Sequence, residues 1–280
     1  MKLVRWGASG AEKPGLLDAE GQIRDLSGQV ADISGAVLAP DGLAQIAALD
    51  PATLPLVAAG TRLGPCVHGT GKLICIGLNY ADHAVETGGK VPSEPKIFMK
   101  ATSAIIGPHD DVEIPRGSTQ TDWEVELGVV IGHSAKYITE AQAMDHVAGY
   151  CIVNDVSERT YQKDRQGQWT KGKSCDTFGP VGPWLVTRDE VADPQALDMW
   201  LDVNGDRRQT GNTRTMVYGV QMLVAYLSNF MSLRPGDIIA TGTPPGVGLG
   251  MTPPTFLKPG DEMRLGIAGL GEQHQRCVAA

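Results

Sequence analysis

The stretch "TDWEVELGVVIG", residues 121–132, sets two glutamates, Glu124 and Glu126, into an otherwise apolar run. Read as a strand, it places both carboxylates on one face, about 6–7 Å apart along the chain. Two like charges on a face with valine and leucine neighbours repel, and something must offset that. A divalent cation held between the oxygens does so, by turning repulsion into coordination. A third oxygen would complete a facial set, and Asp155 is the candidate, because it ends the apolar run "AGYCIVND" where a sheet edge is expected. Neither His nor Cys stands at zinc spacing, so Mg²⁺, Mn²⁺ or Ca²⁺ fits better than zinc. The ordinary use of an ExE pair is the solvated face of an amphipathic strand. The apolar flanks on both sides weigh against that here.

The remaining composition bounds the partners. The 280 residues carry 24 Lys plus Arg against 32 Asp plus Glu, a formal charge of −8. That argues against nucleic acid as the main partner, since phosphate binding favours a basic surface. The chain is 42% hydrophobic and 20% charged, a globular composition. Its start has no apolar signal segment, no window is long and apolar enough for a membrane span, and the five cysteines are dispersed without a CxxC. These features read as a cytoplasmic protein with no membrane partner.

Along the chain, residues 1–70 read as a small N-terminal α+β domain of short strands and an Ala-rich helical stretch near 42–49, closed by a Pro/Gly-punctuated link. Residues 71–280 read as the main domain. Strands are expected at 73–77, 97–100, 125–131, 148–154, 184–187, 199–203, 237–240 and 262–267, with helices at 140–146, 156–164 and 215–231. Strand and helix do not alternate regularly, which favours a mixed α+β fold over a doubly wound sheet.

Other segments carry candidate chemistry. If 156–164 is helical, Arg159 and Gln162 share a face, and Lys171 and Lys173 follow. A basic cluster beside an acidic metal site suits an anionic substrate, although a charged helix is more commonly just solvated. "GLNYADHAVETGG", 77–89, reads as a short helix with Asn79 as its cap and Gly88-Gly89 as its end. His83 and Glu86 then lie one turn apart, where a carboxylate can orient an imidazole as general base; a plain surface pair is the commoner use. "TGTPPGVGLGMTPP", 241–254, is neither a P-loop nor a dinucleotide fingerprint, because no Gly-Lys-Ser/Thr follows and prolines preclude the required helix. It can still offer backbone N–H groups and Thr hydroxyls to a carboxylate.

Seven segments in this order, "GLNYADHAVE", "SEPKIFMKATSA", "DWEVELGVVIG", "GYCIVNDVSER", "WTKGKSCDTFGPVGPW", "VNGDRRQTGNT" and "LRPGDIIATGTPPGVG", resemble the fumarylacetoacetate hydrolase family over about residues 72–278. The chain is most similar to bacterial acylpyruvase-like members. Several of these act on 2,4-diketo-3-deoxy sugar acids, and many are labelled ureidoglycolate lyase. The resemblance implies a mixed β-sheet roll, a homodimer, and Mg²⁺ or Mn²⁺, with Ca²⁺ as an alternative, on Glu124, Glu126 and Asp155. It assigns His83 and Glu86 to a dyad on a lid and Lys173 to a position near the metal. Arg159, Gln162 and Thr243 would contact substrate, and Lys100 would lie near the site. Cys175 departs from the Phe common in close relatives and bears on pocket shape.

The implied reaction is hydrolysis of the C3–C4 bond of a small anionic 2,4-dioxo acid to pyruvate and a carboxylic acid. Oxaloacetate decarboxylation, or isomerisation of a dioxo acid, would use the same metal-enolate chemistry. A non-catalytic, metal-stabilised binding protein would have no use for the dyad.

Overall fold

Residues 125–131 alternate between two apolar environments, and in the computed structural model of the chain they form a strand near the middle of the largest sheet. The structure describes residues 1–86 and 90–280, without the side chains of residues 83–85. In chain order the strands are β1 (Lys2–Trp6), β2 (Lys13–Leu17), β3 (Ile23–Asp25), β4 (Leu73–Gly77), β5 (Lys96–Lys100), β6 (Ile105–Ile106), β7 (Val112–Ile114), β8 (Thr121–Asp122) and β9 (Val125–Ile131). They continue as β10 (Val147–Asn154), β11 (Ser157–Glu158), β12 (Gly179–Thr187), β13 (Asp198–Val203), β14 (Asp206–Asn212), β15 (Ile238–Ala240), β16 (Glu262–Ile267) and β17 (Gly271–Ala279). The helices are α1 (Pro40–Ala47), α2 (Ala81–Glu86), α3 (Glu140–Ala143), α4 (Thr170–Lys173) and α5 (Val220–Ser228).

The main sheet runs β3-β2-β1-β12-β10-β9-β15-β4-β5, and a second sheet runs β14-β13-β16-β17-β7. Most neighbours are antiparallel, with β4 and β15 a parallel pair inside the main sheet. This is the expected α+β roll rather than a doubly wound sheet. The period of two sorts the core. Val125, Leu127, Val129 and Ile131 point toward a cluster shared with Met199, Leu201, Leu265 and Ile267 of the second sheet and Leu223 of α5. Val130, on the other face, joins Leu73, Cys75, Cys151 and Ile238. No helix among the described residues is long and apolar enough to cross a membrane.

All eight expected strands are present. The expected helix at 156–164 is not formed as such: Ser157–Glu158 pairs with β8, and only Thr160–Asp164 is helical, as a π-helix. The helix expected at 215–231 is confined to Val220–Ser228, because Thr213–Thr215 forms a separate 3-10 turn and Gly219 stands at the α5 N-cap. The strand β17 escapes a hydrophobic reading because its inward positions include Gln273 and Gln275. Their buried amides donate to Ile152 O, Gly182 O and Pro108 O.

β1 pairs with β12 in the main sheet, and Leu3, Leu16 and Leu26 share a core cluster with Leu73, Cys75 and Val130. The division near residue 70 stands as a proposal about a unit that is docked on, and continuous with, the larger sheet.

Candidate active site

Four strand ends converge on one point. Glu124 and Glu126 sit where β9 begins, and Asp155 follows the end of its antiparallel neighbour β10. Gly242 and Thr243 follow β15, and Leu78 follows β4. The Asp155 N–H donates to Glu124 O at 2.9 Å, which locks the two acidic corners together. One carboxylate oxygen from each of Glu124, Glu126 and Asp155 lies within 4.8 Å of the other two, and all three residues are buried. Three hard oxygen donors at this spacing fit a divalent cation of the Mg²⁺, Mn²⁺ or Ca²⁺ kind. Glu126 also receives the Gly242 N–H at 2.9 Å. Burial, and then the charges of Asp155 and Glu124, push its pKa well above the ordinary carboxylate value, the strain that a cation would relieve.

Three cations surround the acids. Lys173 Nζ bridges Glu124 Oε2 at 2.5 Å and Asp155 Oδ2 at 2.7 Å. Burial alone would lower its pKa, but Asp155 and Glu124 outweigh it and hold the ammonium above the usual lysine value. Arg159 is held charged in the same way, against burial, by Asp122 and Glu124. Its Nη2 donates to Glu124 Oε1 at 2.8 Å and its Nη1 to Gln162 Oε1 at 3.1 Å. Lys100 Nζ donates to Asp155 Oδ1 at 2.5 Å and Val156 O at 2.9 Å. With Asp122 counted, four carboxylates face three cations. A dication added to that set leaves it positive and receptive to an anion.

Local structure explains how Lys173 and Arg159 come so close. The π-helix offers Gln162 inward, and α4 packs against it through Gly172. A Cβ on Gly172 would stand 2.3 Å from Glu158 O and 2.5 Å from Gln162 N, so only glycine permits this approach.

Glu124 and Glu126 lie in the wall of a cavity of about 360 Å³ that Arg159, Gln162, Lys173 and Thr243 also line, and Lys173 ties Asp155, behind that wall, to Glu124. Its outer part is apolar and cationic, with Phe98, Trp169, Leu78, Leu249, Lys96 and Lys163. Phe98 and Trp169 meet edge-on at 5.1 Å, and Lys96 Nζ sits 4.0 Å from the Trp169 ring centre. The Thr243 hydroxyl donates to Val125 O at 2.8 Å and accepts from Gln209 Nε2 at 2.8 Å.

Of the residues expected from sequence, Glu124, Glu126, Asp155, Arg159, Gln162, Lys173 and Thr243 are brought together. Lys100 lies behind Asp155, paired with one of the clustered carboxylates rather than placed among the residues that line the cavity. Lys171 is exposed and turned to Arg165 O, and Cys175 is not part of the cavity wall. The His83 side chain and Gly88-Gly89 lie outside the described residues, so the dyad is represented by Glu86 alone. Glu86 Oε1 accepts from Gly246 N at 2.8 Å, and a Cβ on Gly250 would meet its Cγ at 2.5 Å, so the end of α2 rests on the glycine-rich loop. Asn79 does not serve as the expected helix cap. It is fully buried, and its amide joins Thr241 O, Tyr218 O and Tyr218 N, tying the β4–α2 connection to the end of β15.

Asp122 and Trp169 were missed by sequence reasoning. Asp122 had a signal, since Asp122, Glu124 and Glu126 form an alternating acidic series. Trp169 had none, because an aromatic residue in a polar segment does not reveal which surface it covers.

Comparison with known proteins bears on the family and the fold. Residues 72–278 match the family model described as Fumarylacetoacetate (FAA) hydrolase C-terminal. A Burkholderia cenocepacia (strain HI2424) protein, named no more closely than as a hydrolase, is 65% identical over 277 residues, covering 99% of this chain and 98% of that protein. The solved fumarylacetoacetate hydrolase of psychrophilic Exiguobacterium antarcticum is 36% identical, with a TM-score of 0.89 and full coverage of both chains. Maleylpyruvate hydrolase from Sphingobium sp. SYK-6, solved with manganese(II) ion and pyruvate, is 30% identical, with a TM-score of 0.83 and full coverage of both. A 2-hydroxyhepta-2,4-diene-1,7-dioate isomerase from Mycobacterium marinum is 32% identical, with a TM-score of 0.77 over 100% of this chain and 98% of that one. The chain therefore belongs to the fumarylacetoacetate hydrolase family.

Proposed function

We propose that the protein is a divalent-metal-dependent hydrolase that cleaves the C3–C4 bond of small anionic 2,4-dioxo acids, releasing pyruvate and a carboxylic acid. The observation that carries this reading is the buried trio Glu124, Glu126 and Asp155, with Lys173 bridging Glu124 and Asp155 and Arg159 on Glu124, beside a cavity that Glu124, Glu126, Lys173 and Arg159 line. Those three carboxylates would hold Mg²⁺ or Mn²⁺. The bound cation would supply Lewis-acid polarisation of the substrate oxygens and countercharge for an enolate.

The chain's own groups account for the rest. Water adds to C4, the C3–C4 bond breaks, and its electron pair stays on C3 as the enolate of pyruvate, which then takes a proton. Arg159 gives one Nη1–H to Gln162 and keeps the second for an anion in the cavity. Lys173, held charged, favours the developing enolate. Thr243 lines the cavity beside the strand end that carries the acids, and its hydroxyl would have to turn from Val125 O to donate to a substrate carboxylate. His83 is assigned as the base that takes the water proton. Glu86, anchored on Gly246, holds the helix that carries it. The protein that releases pyruvate would work as a cytoplasmic homodimer.

A second reading has support in the isomerase relative: the same site could move a proton on a dioxo acid without adding water. Both readings are tested by incubating the protein with acylpyruvates, oxaloacetate and diketo-deoxy sugar acids, with Mg²⁺ or Mn²⁺, while following loss of diketone absorbance and formation of pyruvate. Hydrolysis yields stoichiometric pyruvate and acid, and EDTA abolishes it. Isomerisation changes the spectrum without pyruvate. If EDTA lowers only the melting temperature and no substrate turns over, the enzyme reading fails.

A further inference from the structure

We propose that Asp122 is a positioning residue that couples Arg159 to the glycine-rich loop 246–250, so that one buried carboxylate sets both the cation offered to the substrate and the part of the cavity wall that Leu249 forms. This rests on the reading of the site as a pocket for an anionic substrate.

Asp122 is fully buried at the end of β8, and it is not one of the three clustered carboxylates. Its two oxygens accept on two sides. Toward the loop, Oδ1 receives Gly248 N at 2.7 Å and Oδ2 receives Leu249 N at 3.0 Å. Toward the site, Oδ2 receives Arg159 Nε at 2.8 Å. Oδ1 also takes the N–H of Trp123 at 2.9 Å. Two converging backbone donors and a guanidinium on one carboxylate form a charge-assisted network whose members cannot shift separately without leaving a buried group unpaired.

The loop is held at its other end as well. Trp123 Nε1 donates to Gly246 O at 3.0 Å, and Gly246 N donates to Glu86. Gly246 has a φ of +107°, and a Cβ there would lie 1.9 Å from Arg208 O, so the backbone path admits only glycine. Leu249, one of the two loop residues whose N–H Asp122 accepts, lines the cavity. Any movement of the Arg159 guanidinium that an anion induces is therefore transmitted through Asp122 to Leu249 and the seat of Glu86. A purely structural carboxylate would hold the fold without this link.

The test uses Asp122→Asn, Arg159→Lys and the double variant, with Mg²⁺ and pyruvate as probes. For Asp122→Asn we expect Mg²⁺ affinity to stay within about threefold, below the roughly 10–100-fold typical when a ligand-holding partner is lost. Pyruvate affinity of the Mg²⁺-loaded protein should fall about tenfold or more, one network's worth of 1.4 kcal/mol. The double variant should bind pyruvate no worse than Arg159→Lys alone, because residues that act as a unit are non-additive. Additive losses, a collapse of Mg²⁺ affinity, or a lowered melting temperature with unchanged pyruvate affinity would each overturn the proposal.

A second measurement needs no variant. In the wild-type protein, pyruvate titrated into the Mg²⁺-loaded form should shift the Arg159 Nε–H and the Gly248 and Leu249 amide resonances together. Movement of the Arg159 signal with both amides unmoved would sink the coupling. Absence of turnover on every dioxo acid, with the three resonances still moving together, would count against the proposed reaction and leave the role of Asp122 standing.

Discussion

Glu126 is the acid whose removal says most about the site. Its partner is a backbone N–H, whereas Glu124 is shared by Lys173 and Arg159. Glu126→Gln should thus remove a metal ligand without stranding a cation. We expect Mg²⁺ or Mn²⁺ affinity by calorimetry to fall by more than the roughly 10–100-fold that attends loss of an outer partner. The metal-free protein should melt no lower than wild type, because a buried like charge has gone. Unchanged metal affinity would remove Glu126 from the ligand set. At this scale the acids were legible, because a charge inside an apolar run has no ordinary explanation. Phe98, Trp169 and Lys96 were not, since their common use is packing or solvation, and only the fold shows that they share a cavity.

Among the elements, α4 and the π-helix depend on each other through one glycine. Gly172→Ala introduces a Cβ against Glu158 O and Gln162 N, and the helices must separate. Overpacking of this kind costs about 1–3 kcal/mol. The melting temperature should drop, and Lys173 should be drawn from Glu124 and Asp155, so that turnover falls further than stability alone explains. A variant with wild-type turnover would show that Lys173 can be placed without this contact. The strands β9 and β16 could be bounded from sequence because their apolar positions alternate or run unbroken. The π-helix could not, because an i to i+5 bond pattern has no compositional mark. β14 and β17 were hidden by polar residues, in β17 by glutamines that are buried but satisfied by carbonyls of other segments.

For the whole molecule, the first three strands continue the main sheet past β12, and Leu3 and Leu16 cover a face that Leu185 and Ile238 share. A chain starting at residue 71 would uncover that face and leave the Leu185–Val186 end of β12 as an unpaired edge. We expect such a chain to aggregate or to melt without cooperativity in calorimetry. A soluble 71–280 fragment with wild-type metal affinity would instead mark residues 1–70 as an accessory unit. Residues 1–70 read as a separate module from their short strands and Pro/Gly-punctuated link, and nothing in a short strand's sequence declares which sheet it joins.

The parallel pairing of β4 with β15 has a consequence for the order of assembly. β9 and β10 are close in the chain and can meet early, bringing Glu124, Glu126 and Asp155 together as soon as that segment is made. β4 can pair early with β5, but it joins β9 only through β15, near the other end of the sequence, and long-range pairing of this kind is slow. On a ribosome, the acidic corner would therefore exist before Gly242, Thr243 and Leu249 have been synthesised. A cation that arrives in that interval would meet its ligands in an open trough, so metal loading need not wait for the finished pocket.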